Sequence, residues 1–446
     1  MPIGLVTLAC VRWRNAATIV CLAVLFGVLG WWRGSVLVQQ LAPYTALAHH
    51  KIVVVGRATD DAVYDTHSQL VFGLDNVQVA APYHAALPGS LGIKGFGASA
   101  VYRGDIVQVS GSLYPTRGNH QASMSFATLR VLQSKPSVID VVRQKFAAGL
   151  QSALPEPQAS FGLGLLIGQR STLPDRVAQA LVMVGLTHII AVSGYNLTIM
   201  VEVARRVFGK RSKFQTAAAC LLLIAVFLLI TGSSPSIVRA SIISTLGIAA
   251  WYYGRVIKPL VLLLVAAAMT VSANPLYLWG NVSWYLSFLA FFGVVVLAPL
   301  VTQRVYGERQ PRLVMQIIIE SLCAEAMTLP YVLFIFGQMS LVSLPANLLI
   351  AVLVPAAMLL TLVAGLAGMA LPMLAGWFAW PAKLLLGYML DVATLLSRVP
   401  HAFVEHIGFS FGMLIATYIL VLLTATMLQN RARRKYAIIT EKTTSS

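Results

Sequence analysis

Three short stretches carry the polar chemistry of an otherwise oily chain. The first is HIIAVSGYN, His188–Asn196, set inside VMVGLTHIIAVSGYNLTIMVEVARR. His188, Ser193, Gly194 and Asn196 place an imidazole, a hydroxyl, a break point and an amide within nine residues. Backbone that leaves the helix at membrane depth is tolerated only where protein or water satisfies it. Two readings stay open: Ser and Asn bonding between helices at a close glycine contact, or polar groups lining a wet path. A serine hydrolase would want G-x-S-x-G, and Ala191 stands at the first glycine position.

The second stretch is TGSSPSIVRASIIS, Thr231–Ser244, in which Arg239 follows a mouth of serines and a proline. An arginine at that depth either faces a protein interior or water cavity beside an acid, or snorkels to the outer headgroups. Ser234, Ser236 and Ser241 point to the cavity. The third is IIIESLCAEAMTLPYVLF, where Ser321, Glu325 and Thr328 fall at i, i+4 and i+7 on one helix face, with Glu320 to one side. Pro330 should kink that helix near its middle. Two carboxylates in a span are costly, so they line a path or pair with Arg239, the pairing being either functional or a static buried ion pair.

Other chemistries lack their signatures. GKRS at 209–212 has Ala204 where a phosphate-binding loop needs its upstream glycine. The eight histidines form no H-E-x-x-H pattern, and the four cysteines (Cys10, Cys21, Cys220, Cys323) have no metal-ligand spacing. We therefore expect no metal, no cofactor, and no ATPase or nuclease activity. The alternative to a transport role is a membrane-embedded hydrolase or metalloenzyme built on His188, Ser193 and the Glu320/Glu325 helix.

The elements that must position these residues follow from composition. Of 446 residues 58% are hydrophobic and 11% charged, with mean hydropathy +0.79, which marks a polytopic α-helical membrane protein. The net charge of +17 sits mainly at the ends of apolar runs: Arg12 and Arg14, Arg205 to Lys213, Arg255 and Lys258, Arg304 to Arg312, and Arg431 to Lys435. That distribution reports topology through the positive-inside rule rather than a nucleic-acid surface.

A retained first helix over about Asn15–Trp32 puts the N-terminus in the cytoplasm and residues 33–187 mainly outside. Further spans start near 188, 214, 236, 259, 284, 313, 343, 376 and 409, giving about ten, some broken, with a cytoplasmic C-terminus. Between the first and second spans lie KIVVVGRA, QLVFGLDNVQVA and DIVQVSGSLY, short alternating runs that suit a small inserted OB-like β-barrel. VIDVVRQKFAAGLQSAL reads as an amphipathic connector at the membrane interface. The expected organisation is residues 1–50 as helix and linker, 51–135 as OB-like domain, 136–159 as connector, 160–430 as membrane domain and 431–446 as basic cytoplasmic tail.

GLGLLIGQRSTLPDRVAQALVMVGLTHIIAVSGYNLTIM, SSPSIVRASI, NPLYLWGNVSWYLSFLAFFG and SLVSLPANLL, in that order, resemble the signature segments of the ComEC family of competence channel proteins. The likeness runs from about 160 to 370, and the β-rich region fits that family's outer domain. It departs at Asn196, where the family commonly has a second histidine, and in ending at a basic tail where many members carry a metallo-β-lactamase-like domain. The resemblance implies a channel passing single-stranded DNA across the cytoplasmic membrane during natural transformation. Its partners would be a cytoplasmic helicase or translocase, an external DNA receptor, and a separate nuclease for the other strand. In the outer domain Lys94, Tyr102, Arg103, Tyr114 and Arg117, together with Tyr64, Tyr83 and Phe96, are candidates to hold that strand by charge and stacking; the same aromatics would also serve as the barrel's own core.

Overall fold

The computed structural model describes residues 16–64, 69–81, 84–98, 100–115, 120–134, 137–169, 173–190, 194–232, 234–255, 258–307, 309 and 311–444. Of these, backbone alone is described at 16–26, 64, 190, 194–196, 199, 235, 279, 313–314 and 428–444. Arg12, Arg14, Tyr83, Arg117 and Ser193 lie outside the described residues, as do the side chains of Tyr64, Asn196 and the basic tail.

The chain begins with α1 (Ala16–Ala46), which continues well past the expected end at Trp32. Its last turn and the residues after it enter the sheet domain: Tyr44 and Leu47 are buried in that domain's core, and Tyr44 donates its hydroxyl to Pro88 O at 2.9 Å. Arg33, midway along α1, donates Nε to Ser272 O at 2.8 Å and Nη2 to Ala273 O at 2.9 Å. A cation there satisfies carbonyls that a helix C-terminus leaves open.

Seven strands follow: β1 (Lys51–Ala58), β2 (Val63–Tyr64), β3 (Leu70–Ala81), β4 (Ala85–Ala86), β5 (Leu91–Phe96), β6 (Ile106–Pro115) and β7 (Ala122–Gln133). The alternation of Val107 and Val109 with Gln108 and Ser110 survives in β6, where the valines are buried, Gln108 is half-buried and Ser110 is exposed. Strand β1 pairs antiparallel with both β6 and β3, β3 with β5 and β6 with β7, while β5 and β7 run parallel. The core holds Ile52, Val54, Leu74, Leu91, Ile93, Leu113 and Met124, all almost wholly enclosed.

The connector α2 (Val138–Ala153) starts at a capping box in which Ser137 and Asp140 bond each other's backbone N–H. Ion pairs tie it to the sheet domain, Arg143–Asp61 at 2.7 Å and Arg103–Asp140 at 3.8 Å. Val138, Val141 and Val142 are exposed. The opposite face packs into the helical body, with Phe146 against Gly365 and Gly149 against Gly368, the small-residue contact that lets membrane helices approach closely.

The helical body comprises α3 (Gln158–Ile167), α4 (Asp175–Met183), α5 (Thr187–Ile190), α6 (Gly194–Phe208), α7 (Lys213–Thr231), α8 (Pro235–Tyr252) and α9 (Pro259–Ala273). After a 3-10 turn come α10 (Val282–Phe292), a π-helical segment (Gly293–Leu297), α11 (Ala298–Tyr306), α12 (Leu313–Phe336), α13 (Ser343–Ile350), α14 (Val354–Ala370), α15 (Ala375–Ser397) and α16 (Phe411–Thr444). Helix α3 is apolar all round and is buried from Ala159 to Ile167, as such a helix must be. Among the described residues five segments are long and apolar enough to cross a membrane: Lys213–Thr231, Val282–Tyr306, Met315–Phe336, Ser343–Ala370 and Ala375–Ser397. The shorter apolar helices are Gln158–Ile167, Ser236–Tyr252, Pro259–Ala273 and Phe411–Met427. The protein is thus a mostly helical membrane protein with an N-terminal sheet domain.

Candidate functional site

The polar residues of the helical body gather in two places rather than one. In the first, helix α8 carries Arg239 inward, 7% exposed. Arg239, about one turn from the Ser-Pro start of α8, is directed at α10, where its Nη1 donates to Ser287 O. The guanidinium carbon lies 5.4 Å from the Phe288 ring and 5.6 Å from the Phe291 ring, within cation–π range. Nε of Arg239 and the hydroxyl of Ser241 are enclosed without a hydrogen-bond partner. Ser236, nearer the mouth, has its hydroxyl 3.3 Å from that of Ser234.

The expected pairing of Arg239 with Glu320 or Glu325 is not formed: among the described residues no ion pair joins them. The reason is positional. Arg239 is taken up by a main-chain carbonyl and two rings on α10, and both acids on α12 have neutral partners. Glu320 accepts from Gln316 Nε2 at 2.9 Å, one turn back along its own helix.

The second centre forms around Glu325. Its Oε1 accepts from the Ser343 hydroxyl at the start of α13. Ser343 sits directly against the turn between α4 and α5: a Cβ on Gly185 would lie 2.9 Å from Ser343 Cβ, and Gly185 has φ +74°. Only glycine meets both demands, since a side chain would be strained by the backbone and blocked by the neighbour. From that turn Gly185 O is 3.2 Å from Nδ1 of His188, whose ring is exposed. The enclosed Ser340 hydroxyl and the Asn347 side-chain oxygen have no hydrogen-bond partner. Thr328, expected to share the lining, donates instead to Ala324 O of its own helix at 3.0 Å. Gly194 is the first residue of α6.

The two centres are held in register by a glycine in the π-helical segment. A Cβ on Gly293 would lie 2.4 Å from Cys323 O, so α10, which carries Ser287, and α12, which carries Glu325, touch through backbone. π-Helical turns of this kind are common at functional sites.

The sequence pointed to His188, Arg239 and Glu325, but not to Ser343 or Ser287. Ser343 is the serine that bonds an acid, and its sole signal is its place in SLVSLPANLL. Ser287 acts through its carbonyl, which no side-chain pattern reveals. Among the described residues no group of three His, Cys, Asp or Glu is arranged to hold a metal.

In the sheet domain the named candidates divide. Lys94, Tyr102 and Tyr114 are exposed, Tyr114 lying edge-on to His49 at 5.5 Å. Arg103 is used internally: its backbone N–H donates to Asp61 at 3.0 Å, its Nη1 to Leu229 O at 3.3 Å, and its Nε pairs with Asp140. It joins the sheet domain to the C-terminal end of α7 and to α2, so it is a joint rather than an open charge. His120 is enclosed over the paired glycines Gly73 and Gly92, with Nδ1 at 2.9 Å from the Ser90 hydroxyl. Burial pushes His120 below the ordinary histidine value, partly offset by the carboxylates of Asp60 and Asp75. Asp75 is raised, by burial first and by Asp60, with His120 opposing.

Comparison with known proteins places this arrangement. The chain is similar to ComE operon protein 3 of Bacillus subtilis (strain 168), 25% identical over 210 residues, which is 47% of this chain and 26% of that protein. The chain thus matches about a quarter of the relative's length. No solved structure matches. A family model described as competence protein matches residues 165–431, from the buried α3 through both polar centres into α16, which bears out the resemblance seen in the four segments. That match takes in more than half of the chain, and the protein belongs to the competence protein family.

Proposed function

We propose that this protein is a channel that moves single-stranded DNA across the cytoplasmic membrane into the cell during natural transformation. Family membership supports the process. The observation that carries the mechanism is Arg239, a buried cation with no carboxylate beside it among the described residues. A guanidinium left without an anion in an apolar body suits a passing phosphate, with which it makes strong charge-assisted bonds. His188, Ser193, Gly194, Asn196 and Ser236 would line the same path. The Glu325–Ser343 centre, tied to the next helix by a hydrogen bond, would hold the helices rather than the strand.

In this reading the membrane domain spans 160–430 and, together with α1, makes about ten crossings. The support is the five long apolar segments, the four shorter ones and α1. Both termini would face the cytoplasm, with 33–187 outside. The sheet domain, 51–135, is read as OB-like because its pairings run β1–β3–β5–β7–β6 and back to β1, the cyclic order of a small five-stranded barrel. The protein is not itself an enzyme: a cytoplasmic helicase or translocase would drive the strand, and an external DNA receptor and a separate nuclease would supply it.

The test is internalisation of labelled DNA, scored as label protected from external nuclease, in competent cells whose own copy is deleted. Wild type should restore protected label while surface-bound label stays constant. Failure to restore it, with the protein present in the membrane, would contradict the channel.

A further inference from the structure

The outer face of the β5–β7 pair displays a phenylalanine at a cost to the backbone. Among the described non-glycine residues with positive φ, His49, Asn76, His401 and His406 are types that tolerate the left-handed region; Phe126, at φ 54°, is not. Its strand carries one extra residue there: Ile93↔Met124 and Gly95↔Ala127 pair across β5 and β7, two steps on one side against three on the other. Ala122 and Met124 point inward before this bulge, and Ala127 and Leu129 after it. Simple alternation would send Phe126 into the core, and the bulge turns it out to 74% exposure. Its ring then lies 6.4 Å from that of Phe96, itself 43% exposed.

The surrounding charge identifies the occupant. Lys94, two residues before Phe96, and Arg130, two residues after Thr128, are exposed on the same two strands. Thr128 is the β7 partner of Phe96. Strands β5, β6 and β7 contain no carboxylate. The domain's described acids lie elsewhere, Asp60 and Asp61 after β1, Asp75 in β3 and Asp105 before β6. Among the described residues, exposed rings flanked by cations, with no acid on their own strands, fit a polyanion with unpaired aromatic faces. A strained backbone held at an exposed aromatic points to a use for it.

We propose that Phe96 and Phe126 form a stacking platform for unpaired bases, with Lys94 and Arg130 on the phosphates, so that the outer domain selects single strands over duplex before they reach the membrane domain. This rests on the channel reading above. Stacking on a ring accepts any base and needs it unpaired, so the platform is blind to sequence but not to strandedness. Tyr102 and Tyr114, although exposed, are not part of the platform.

The test uses the full chain in lipid nanodiscs, with labelled oligo-dT and a duplex of equal length, read by fluorescence anisotropy. Phe126→Ala and Phe96→Ala should each weaken oligo-dT binding by about fivefold or more, the low end for loss of one stacked base, and leave duplex binding unchanged. Phe126→Gly should raise the temperature at which the sheet domain unfolds, by relieving the left-handed backbone, and still weaken oligo-dT binding. Arg130→Gln should flatten the salt dependence of log Kd by about 0.7. Wild type binding oligo-dT with all three ring variants binding equally well would overturn the platform alone, and the face would then belong to lipid or to a protein partner. Wild type binding no oligonucleotide would overturn the channel reading with it.

Discussion

The two polar centres of the helical body solve opposite problems. Around Glu325, an acid on α12 meets a hydroxyl from α13 and a glycine turn from α4–α5. The hydroxyl does not cancel the acid's charge, but it ties the acid to the next helix, and the same serine packs on the glycine turn, so the centre joins three elements. Around Arg239, a cation on α8 meets one carbonyl and two ring faces on α10. Rings and a carbonyl hold a guanidinium in place but do not cancel its charge. A buried charge without a counter-ion is expensive, and a path for a polyanion is a place where such a charge has a use. Position in one apolar body therefore does not imply one role: in the proposed function the acid would be a latch and the arginine a contact for the strand.

The largest effect expected from that contrast is on Arg239. Arg239→Ala should cut DNA internalisation by at least about tenfold, what losing one charged hydrogen bond is worth, with protein level and surface-bound DNA unchanged. Arg239→Lys should fall between, since an ammonium keeps the charge but not the flat face held between Phe288 and Phe291. Normal internalisation by Arg239→Ala would merge the two centres into one structural class.

Much of this was legible in the sequence, and the remainder fails for identifiable reasons. An arginine and two glutamates in apolar runs announced themselves, and the four signature segments gave the family. Their pairing did not, because the partner of Arg239 is the carbonyl of Ser287 and that of Glu325 is a serine 18 residues away. Strands β1, β3 and β6 were readable as short β-rich runs; β7 was not singled out, and there an extra residue at Phe126 inverts the parity. Between 340 and 398 three of the prolines that interrupt the apolar runs fall in helical stretches: Pro345 lies in α13, Pro355 opens α14 after a 3-10 turn and Pro381 lies within α15. The end of α1 was misplaced because its last turn is buried by the sheet domain rather than by lipid.

Next in size is the contact that keeps the centres in register. Gly293→Val would drive a side chain into Cys323 O and should destabilise the protein by about 1–3 kcal/mol, as overpacking does, seen as a lower thermal midpoint in detergent. Because α10 and α12 both move, DNA internalisation should fall with it. A variant as stable as wild type would mean that the helices separate without cost and that the centres are independent.

Smaller still are changes at the latch. Ser343→Ala removes the donor from Glu325, which is half-buried, and should cost about 0.5–1.5 kcal/mol, the net worth of one hydrogen bond. Glu325→Gln keeps an acceptor oxygen and should be closer to neutral in stability and in DNA internalisation. A block of internalisation by Glu325→Gln with stability intact would move the acid into the path.

The smallest effect lies in the sheet domain. With its folded value lowered by burial, His120 binds fewer protons folded than unfolded. It adds stability that is full above the ordinary value near 6.5 and is lost as pH falls through that value toward the lowered one. The sheet domain should therefore weaken on acidification below about pH 6.5, and His120→Gln should flatten that part of the profile. An unchanged profile would remove His120 as the cause.

The contrast between latch and contact is tested most directly with DNA whose charge is locally erased. Internalisation of a labelled strand carrying a neutral methylphosphonate patch, relative to an ordinary strand, should drop in wild type and in Glu325→Gln. In Arg239→Gln, the residual internalisation of the two strands should be equal, because the side chain that distinguishes them is gone. If Arg239→Gln discriminates against the neutral patch as strongly as wild type does, the phosphates are read elsewhere and the buried arginine is not their contact.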